Sequence, residues 1–309
     1  MHTEASCISV DVTGFMFEPS YGILAHDKVR RFLDVFYIPF MYTSLKKSLF
    51  YFYSVYEARF PIQRGKYQIA QVLSSVFGLA PFAIDGFKIE LNPIAAIDRA
   101  LILGLKHDDV VSQEIAKIPA GKSYVDVGAN IGYFVLEAAA RGVPVFAFEP
   151  SPREVVRMKR NIALNAFEHI KVFEAGISNA VEKRDLNLGM EYNPGQNSVL
   201  DVSKSVDSVS CTFAPLSHFL SPDELKNVGL IKIDVEGFEY EVLQGMEDVL
   251  SSLHCPVVIE ITPSFLEKAG HSAKDIYELF ARHGYNGRSG LDESARRYDE
   301  VFVPNYQPK

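Results

Sequence analysis

Val125-Asp126-Val127-Gly128-Ala129-Asn130-Ile131-Gly132 is the stretch whose reading decides the fold. A short apolar strand, Tyr124–Val127, breaks at Gly128, and a helical pattern from Ile131 to Arg141 follows, stopped by Gly142 just past its end. A strand that turns on glycine straight into a helix leaves free backbone N–H groups and the positive end of the helix dipole facing a ligand. Gly128 and Gly132 permit the tight turn and let a ligand approach with no Cβ in the way. The spacing is not Gly-x-Gly-x-x-Gly, which disfavours a pyrophosphate-binding dinucleotide site.

Strand and helix signals alternate on either side of this turn. Val145–Phe148 reads as the next strand, and Ser151-Pro152-Arg153-Glu154 as a capping box with proline at the first helical position. Val155, Met158 and Ile162 continue that helix. Further strands are expected at Ile170–Phe173, Leu230–Asp234 and Val257–Ile261, with helices at Phe238–Leu253 and Ala273–His283. Glu300–Pro304 reads as a closing antiparallel strand. Such alternation predicts an α/β fold, a mostly parallel sheet with helices on both faces. Ser178 to Asn227, rich in Ser, Asn, Asp and Gly, reads as an inserted hairpin region or lid. Glu149 closes the second strand, 21 residues after Gly128. An acid there can accept hydrogen bonds from both hydroxyls of an adenosine ribose, so loop and acid together point to a nucleoside ligand.

Composition bounds the rest. The 309 residues are 48% hydrophobic and 23% charged, enough apolar material for a full core. A net charge of −8 leaves no overall basic field, so no nucleic-acid partner is expected. Cys7, Cys211 and Cys255 are widely spaced, form no Cys-x-x-Cys, and fit reduced thiols in a cytoplasm. No His-x-x-x-His pair suggests a zinc hydrolase. The longest apolar run near the start, Val35–Leu45, ends at Lys46 and Lys47, far short of a membrane span. The first residues lack a secretory leader pattern, which again favours a cytoplasmic setting. Residues 28–66 nevertheless carry eight basic and two acidic residues and eleven of the 37 aromatics. The first reading is a packed helical subdomain; the second is an arm for peripheral membrane or partner contact. Residues 1–110 are thus expected to be a helical, aromatic-rich, basic extension, and 111–309 the catalytic domain. No oligomeric state is legible.

Ile231-Lys232-Ile233-Asp234-Val235-Glu236-Gly237-Phe238-Glu239 completes the pattern. With VDVGANIGYF, FAFEP, IKIDVEGFEYEVLQG and VVIEI in that order, residues Gly121 to Tyr285 resemble the FkbM family of S-adenosylmethionine-dependent methyltransferases. Where that family commonly has Thr-Leu-Asp before the fourth strand, this chain has Pro215-Leu216-Ser217-His218. The resemblance implies the seven-stranded, Rossmann-like class I methyltransferase sheet, and O-methylation of a small-molecule or glycan acceptor such as a sugar, glycolipid or secondary metabolite. It places Asp126, Gly128, Ala129, Asn130 and Gly132 around the methionine end of the S-adenosyl-L-methionine donor, Glu149 and Pro150 at the ribose, and Gly176, within Ala175 to Ser178, beside the adenine.

Asp234 and Glu236 are the candidate catalytic acids, and Glu239 reads as structural. A carboxylate at the end of the fourth strand can take the acceptor's proton, and Asp234 stands there. An alternative gives Asp234, Glu236 and Glu260 to a divalent cation; the expectation is no metal. An alternative to an enzyme is a donor-binding fold that serves as an interaction module without turnover; the intact loop, Glu149 and Asp234 argue against it.

Overall fold

Strands β3 (Ser123–Val127), β4 (Val145–Phe148) and β10 (Val257–Ile261) are buried along their whole length and therefore need cover on both faces. In this computed structural model, residues 80–92, 95–104, 109–188 and 207–305 are described, with 45, 47–53, 55 and 56 before them. Most of the 28–66 segment thus lies outside the described residues.

The seven-stranded sheet has the order β11-β12-β10-β9-β3-β4-β5, with β5 at Ile170–Phe173, β9 at Val228–Ile233, β11 at Tyr285–Gly287 and β12 at Tyr298–Pro304. The run from β10 to β5 is parallel, while β12 is antiparallel to β10 and β11, the closing antiparallel strand expected from the sequence. The chain starts the sheet at β3 and builds β4 and β5 to one side before crossing to β9 on the other. The crevice where the strand order reverses, outside the carboxyl ends of β3 and β9, is where open α/β sheets bind ligands.

Alternate side chains fill two cores. Val125, Val127, Phe146, Phe148, Ile231 and Ile233 point to one face, packed under helices α7 (Glu239–Gln244) and α10 (Ala273–Arg282). Tyr124, Val145, Ala147, Leu230 and Val258 point to the other, packed under α3 (Tyr133–Ala140) and Met158 of α4 (Pro152–Ala163). Between β5 and β9, a three-stranded sheet joins β6 (Gly176–Ile177), β7 (Glu182–Leu188) and β8 (Asp207–Ala214), with β7 and β8 as the antiparallel hairpin.

Two local expectations give way to tertiary contacts. Ser151 starts α4, but its side chain makes no capping bond; its N–H is taken by Glu149, and Glu154 turns to Arg153 and Arg157 instead. The helix expected over Phe238–Leu253 breaks into α7 and α8 (Glu247–Leu250) at Gly245. A Cβ on Gly245 would lie 2.3 Å from the Ser178 carbonyl oxygen, so the close approach of that backbone demands glycine.

The extension expected to be helical is not helical throughout. Residues 47–53 are helical, but β1 (Ala80–Ile84) and β2 (Phe87–Leu91) form an antiparallel hairpin turned at Asp85-Gly86, with φ of 45° and 92°. Asp-Gly between alternating apolar residues favours this turn because both positions take positive φ readily. Phe87, Ile89 and Leu91 enter the same core as Phe134 and Leu136, so the hairpin packs onto one face of the seven-stranded sheet.

Side chains of α4 hold its edge: the fully buried Asn161 accepts from Glu90 N–H at 2.7 Å and donates to the Ile131 carbonyl at 2.9 Å. The Asp98 carboxylate of α1 (Ala96–Ile102) is buried against Arg157 at 2.5 Å. Among the described residues no helix is long and apolar enough to cross a membrane.

Asn161→Ala strands a backbone donor and a backbone acceptor, and should cost about 1–3 kcal/mol. Urea denaturation checks this; a midpoint unchanged from the parent contradicts the hairpin's place in the core.

Candidate active site

The loop after β3 is folded back by its own backbone. Gly128 N–H and Ala129 N–H both donate to the Phe148 carbonyl at the end of β4, each at 3.0 Å. Gly128, Asn130 and Gly132 adopt φ of 83°, 50° and 86°, a left-handed run in which asparagine is one of the few tolerated side chains. Gly132 then starts α3.

On the other side of the crevice, Asp234 N–H donates to the Val127 carbonyl at 3.0 Å. A Cβ on Gly128 would fall 1.8 Å from the Asp234 carbonyl oxygen, so the two strand ends touch at a point where only glycine fits.

Glu149 sits one residue past β4, 7% exposed. Its Oε2 accepts from Asn130 N–H at 2.8 Å and its Oε1 from Ser151 N–H at 2.9 Å. Each oxygen keeps capacity for a further bond. Burial pushes its pKa up to about 7, against the pull of those two N–H groups. The carbonyl of Pro150 accepts from the Cys211 thiol at 3.0 Å. Ala175, Gly176, Ile177 and Ser178 follow β5, and the Phe213 ring packs so close that a Cβ on Gly176 would meet it at 2.2 Å. The residues assigned from sequence to the donor therefore lie together along the carboxyl ends of β3, β4 and β5.

The Asn130 side-chain oxygen is buried and has no hydrogen-bond partner. Such an acceptor is costly unless a ligand supplies a donor.

The acids gather across the crevice. Asp126, fully buried at the end of β3, faces Lys232 of β9 at 3.3 Å, and the same ammonium lies 3.4 Å from Asp234. Glu236 stands in a left-handed backbone, φ 54°, followed by Gly237 at 99°. Burial, then the charges of Asp234 and Glu239, push Glu236 up to about 8. Glu239 accepts from Gly237 N–H at 3.0 Å, a contact that holds the turn after β9. Burial, then Asp234, push Glu260 up to about 9, and Arg297 pairs with it at 2.5 Å. Asp234 itself is partly open, 22% exposed.

Among the described residues, no set of three His, Cys, Asp or Glu side chains comes together as a metal-binding group. Sequence reasoning missed Lys232 and Arg297, and one signal for Lys232 was present. A lysine between Ile231 and Ile233 in a central parallel strand has no solvent face to occupy.

Gly128→Ala forces a Cβ into the Asp234 carbonyl in a backbone that disfavours it. It should destabilise the protein by at least ~2 kcal/mol, combining strain and overpacking. A thermal midpoint equal to the parent's contradicts the contact.

Residues 126–286 match the family described as Methyltransferase FkbM domain. "Methyltransferase 1" of Beauveria bassiana is 30% identical over 208 residues, which cover 58% of this chain and 80% of that protein. "Hexuronic acid methyltransferase AglP" of Haloferax volcanii is 28% identical, over 58% of this chain and 67% of that one. "31-O-demethyl-FK506 methyltransferase FkbM" of Streptomyces tacrolimicus is 29% identical, over 41% and 60%. The fold, the glycine loop and the family match agree, and the chain belongs to the FkbM methyltransferase family.

Proposed function

We propose that this methyltransferase transfers a methyl group to a hydroxyl oxygen of a sugar, glycolipid or secondary metabolite. The observation that carries the reading is the contact between the donor loop and the residue that follows β9, Asp234, which sets a partly open carboxylate beside the crevice. Two relatives carry names that fit it, one a hexuronic acid methyltransferase and one acting on 31-O-demethyl-FK506.

S-adenosylmethionine is the family's donor and supplies an activated methyl on a sulfonium cation. The residues present suit it. The donor carries no phosphates, so its loop need only take an amino-acid zwitterion and a nucleoside. Asp126, Gly128, Ala129, Asn130 and Gly132 would hold the amino-acid end, where the unpartnered Asn130 oxygen can accept from an ammonium. Glu149 would take the ribose hydroxyls, with Pro150 beside it and Gly176 at the base.

Methyl transfer is an in-line displacement, so alignment supplies much of the rate, of order 7–11 kcal/mol in well-oriented systems. Asp234 orients the acceptor hydroxyl and takes its proton, worth ~10²–10⁴-fold. Glu236, pushed up to about 8, holds a proton near neutrality and serves as a hydrogen-bonding wall of the acceptor side.

Asp234→Asn should lower kcat at least ~10²-fold with little change in donor affinity. Normal kcat with normal binding in that variant sinks the catalytic assignment and moves attention to Glu236.

The sign of a second effect follows from Glu149. Ribose hydroxyls donate, so binding favours the ionised carboxylate. Donor affinity should tighten as pH rises through about 7. Glu149→Gln removes the charge, should flatten that dependence and should cost about 1.5–3 kcal/mol of binding. Calorimetric titration across this range checks both, and a parent protein whose Kd does not move with pH contradicts the assignment.

A further inference from the structure

Lys232 lies in the middle of the chemistry and the mechanism above leaves it unused. Its side chain is 5% exposed, on the sheet face that also carries the apolar Tyr124, Ala147, Leu230 and Val258. An isolated ammonium there costs several kcal/mol, and it persists only with partners. Its partners are Asp126 at 3.3 Å and Asp234 at 3.4 Å, with the Phe134 ring at 5.4 Å and the charge of Glu260 nearby. Burial works against the charge, but Asp126 and Asp234 more than offset it, and the lysine stays protonated.

Stability alone does not explain such a group, because apolar replacements of buried ion sets are often neutral or stabilising. What the ammonium uniquely supplies is a fixed point between two acids on different strands. Asp126 precedes the donor loop, and Asp234 follows β9 at the crevice. Without the cation, two carboxylates would face each other in a poorly solvated site and Asp234 would be free to turn away.

We propose that Lys232 is a positioning residue for methyl transfer: its buried ammonium aims the Asp234 carboxylate at the acceptor by holding it against Asp126. With only 5% of its side chain exposed, it acts through the two carboxylates it pairs with. The proposal rests on Asp234 acting at the reaction centre, and a double-mutant cycle keeps the two questions apart.

Lys232→Met, Lys232→Arg, Asp234→Asn and the Lys232→Met/Asp234→Asn pair are compared for kcat and for donor Kd by calorimetry. Lys232→Met should lower kcat at least ~10-fold at saturating donor, where any weakening of donor binding through Asp126, the other partner of Lys232, is overcome and the acceptor step is read alone. Lys232→Arg keeps the charge and should recover most of that loss. The double variant should be no slower than Asp234→Asn alone, since Lys232 acts through that carboxylate. If Lys232→Met does not fold, Lys232→Gln carries the same comparison.

Full turnover per folded molecule in Lys232→Met, or a loss that multiplies on top of Asp234→Asn, overturns the proposal. So does a loss expressed wholly in donor Kd. Near-normal kcat in Asp234→Asn instead overturns the reading of Asp234 itself.

Discussion

The contact between Gly128 and the Asp234 carbonyl is the constraint on which the rest depends. Two parallel strands that carry successive chemical roles end side by side, and a Cβ at Gly128 would stand 1.8 Å from the Asp234 oxygen. The approach is fixed by backbone bonds on both sides: Gly128 and Ala129 to Phe148, Asp234 to Val127. Because β3 and β9 flank the point where the strand order reverses, this junction is also the mouth of the ligand crevice. Packing and chemistry therefore share one set of atoms.

The electrostatics follow from that closeness. Bringing β3 and β9 together in register sets Asp126 opposite Lys232, and the turn after β9 adds Asp234, Glu236 and Glu239 within a few residues. Carboxylates this crowded and buried do not all stay ionised. Lys232 and Arg297 compensate Asp126, Asp234 and Glu260, Glu239 is tied to the Gly237 N–H, and Glu236 is raised above its ordinary range. The result is a graded set of acids in which Asp234 is partly open to the crevice and countered by a fixed cation.

Much of this was legible in the residues because each central strand is a short apolar run with a sharp end. Ile170–Phe173 and Val257–Ile261 fall where the sequence places them, and glycine, proline or an acid marks the strand ends. Local signals failed where a distant partner claimed the same group. The Ser151–Glu154 capping box is absent because Glu149 holds the Ser151 N–H and two arginines hold Glu154. The Asp85-Gly86 hairpin has a strong local signature, yet the aromatic richness of the first 110 residues favoured a helical reading. Lys232 was hidden inside a motif whose acids drew the attention, although a buried strand position makes a lysine there conspicuous.

A crystal structure of the chain with S-adenosylhomocysteine, the demethylated donor, tests the central claim most directly. The account predicts the ligand across the carboxyl ends of β3, β4 and β5, its ribose hydroxyls on Glu149, its amino group on the Asn130 side-chain oxygen, and its sulfur facing Asp234. A ligand bound elsewhere, or with its ribose away from Glu149, would contradict it.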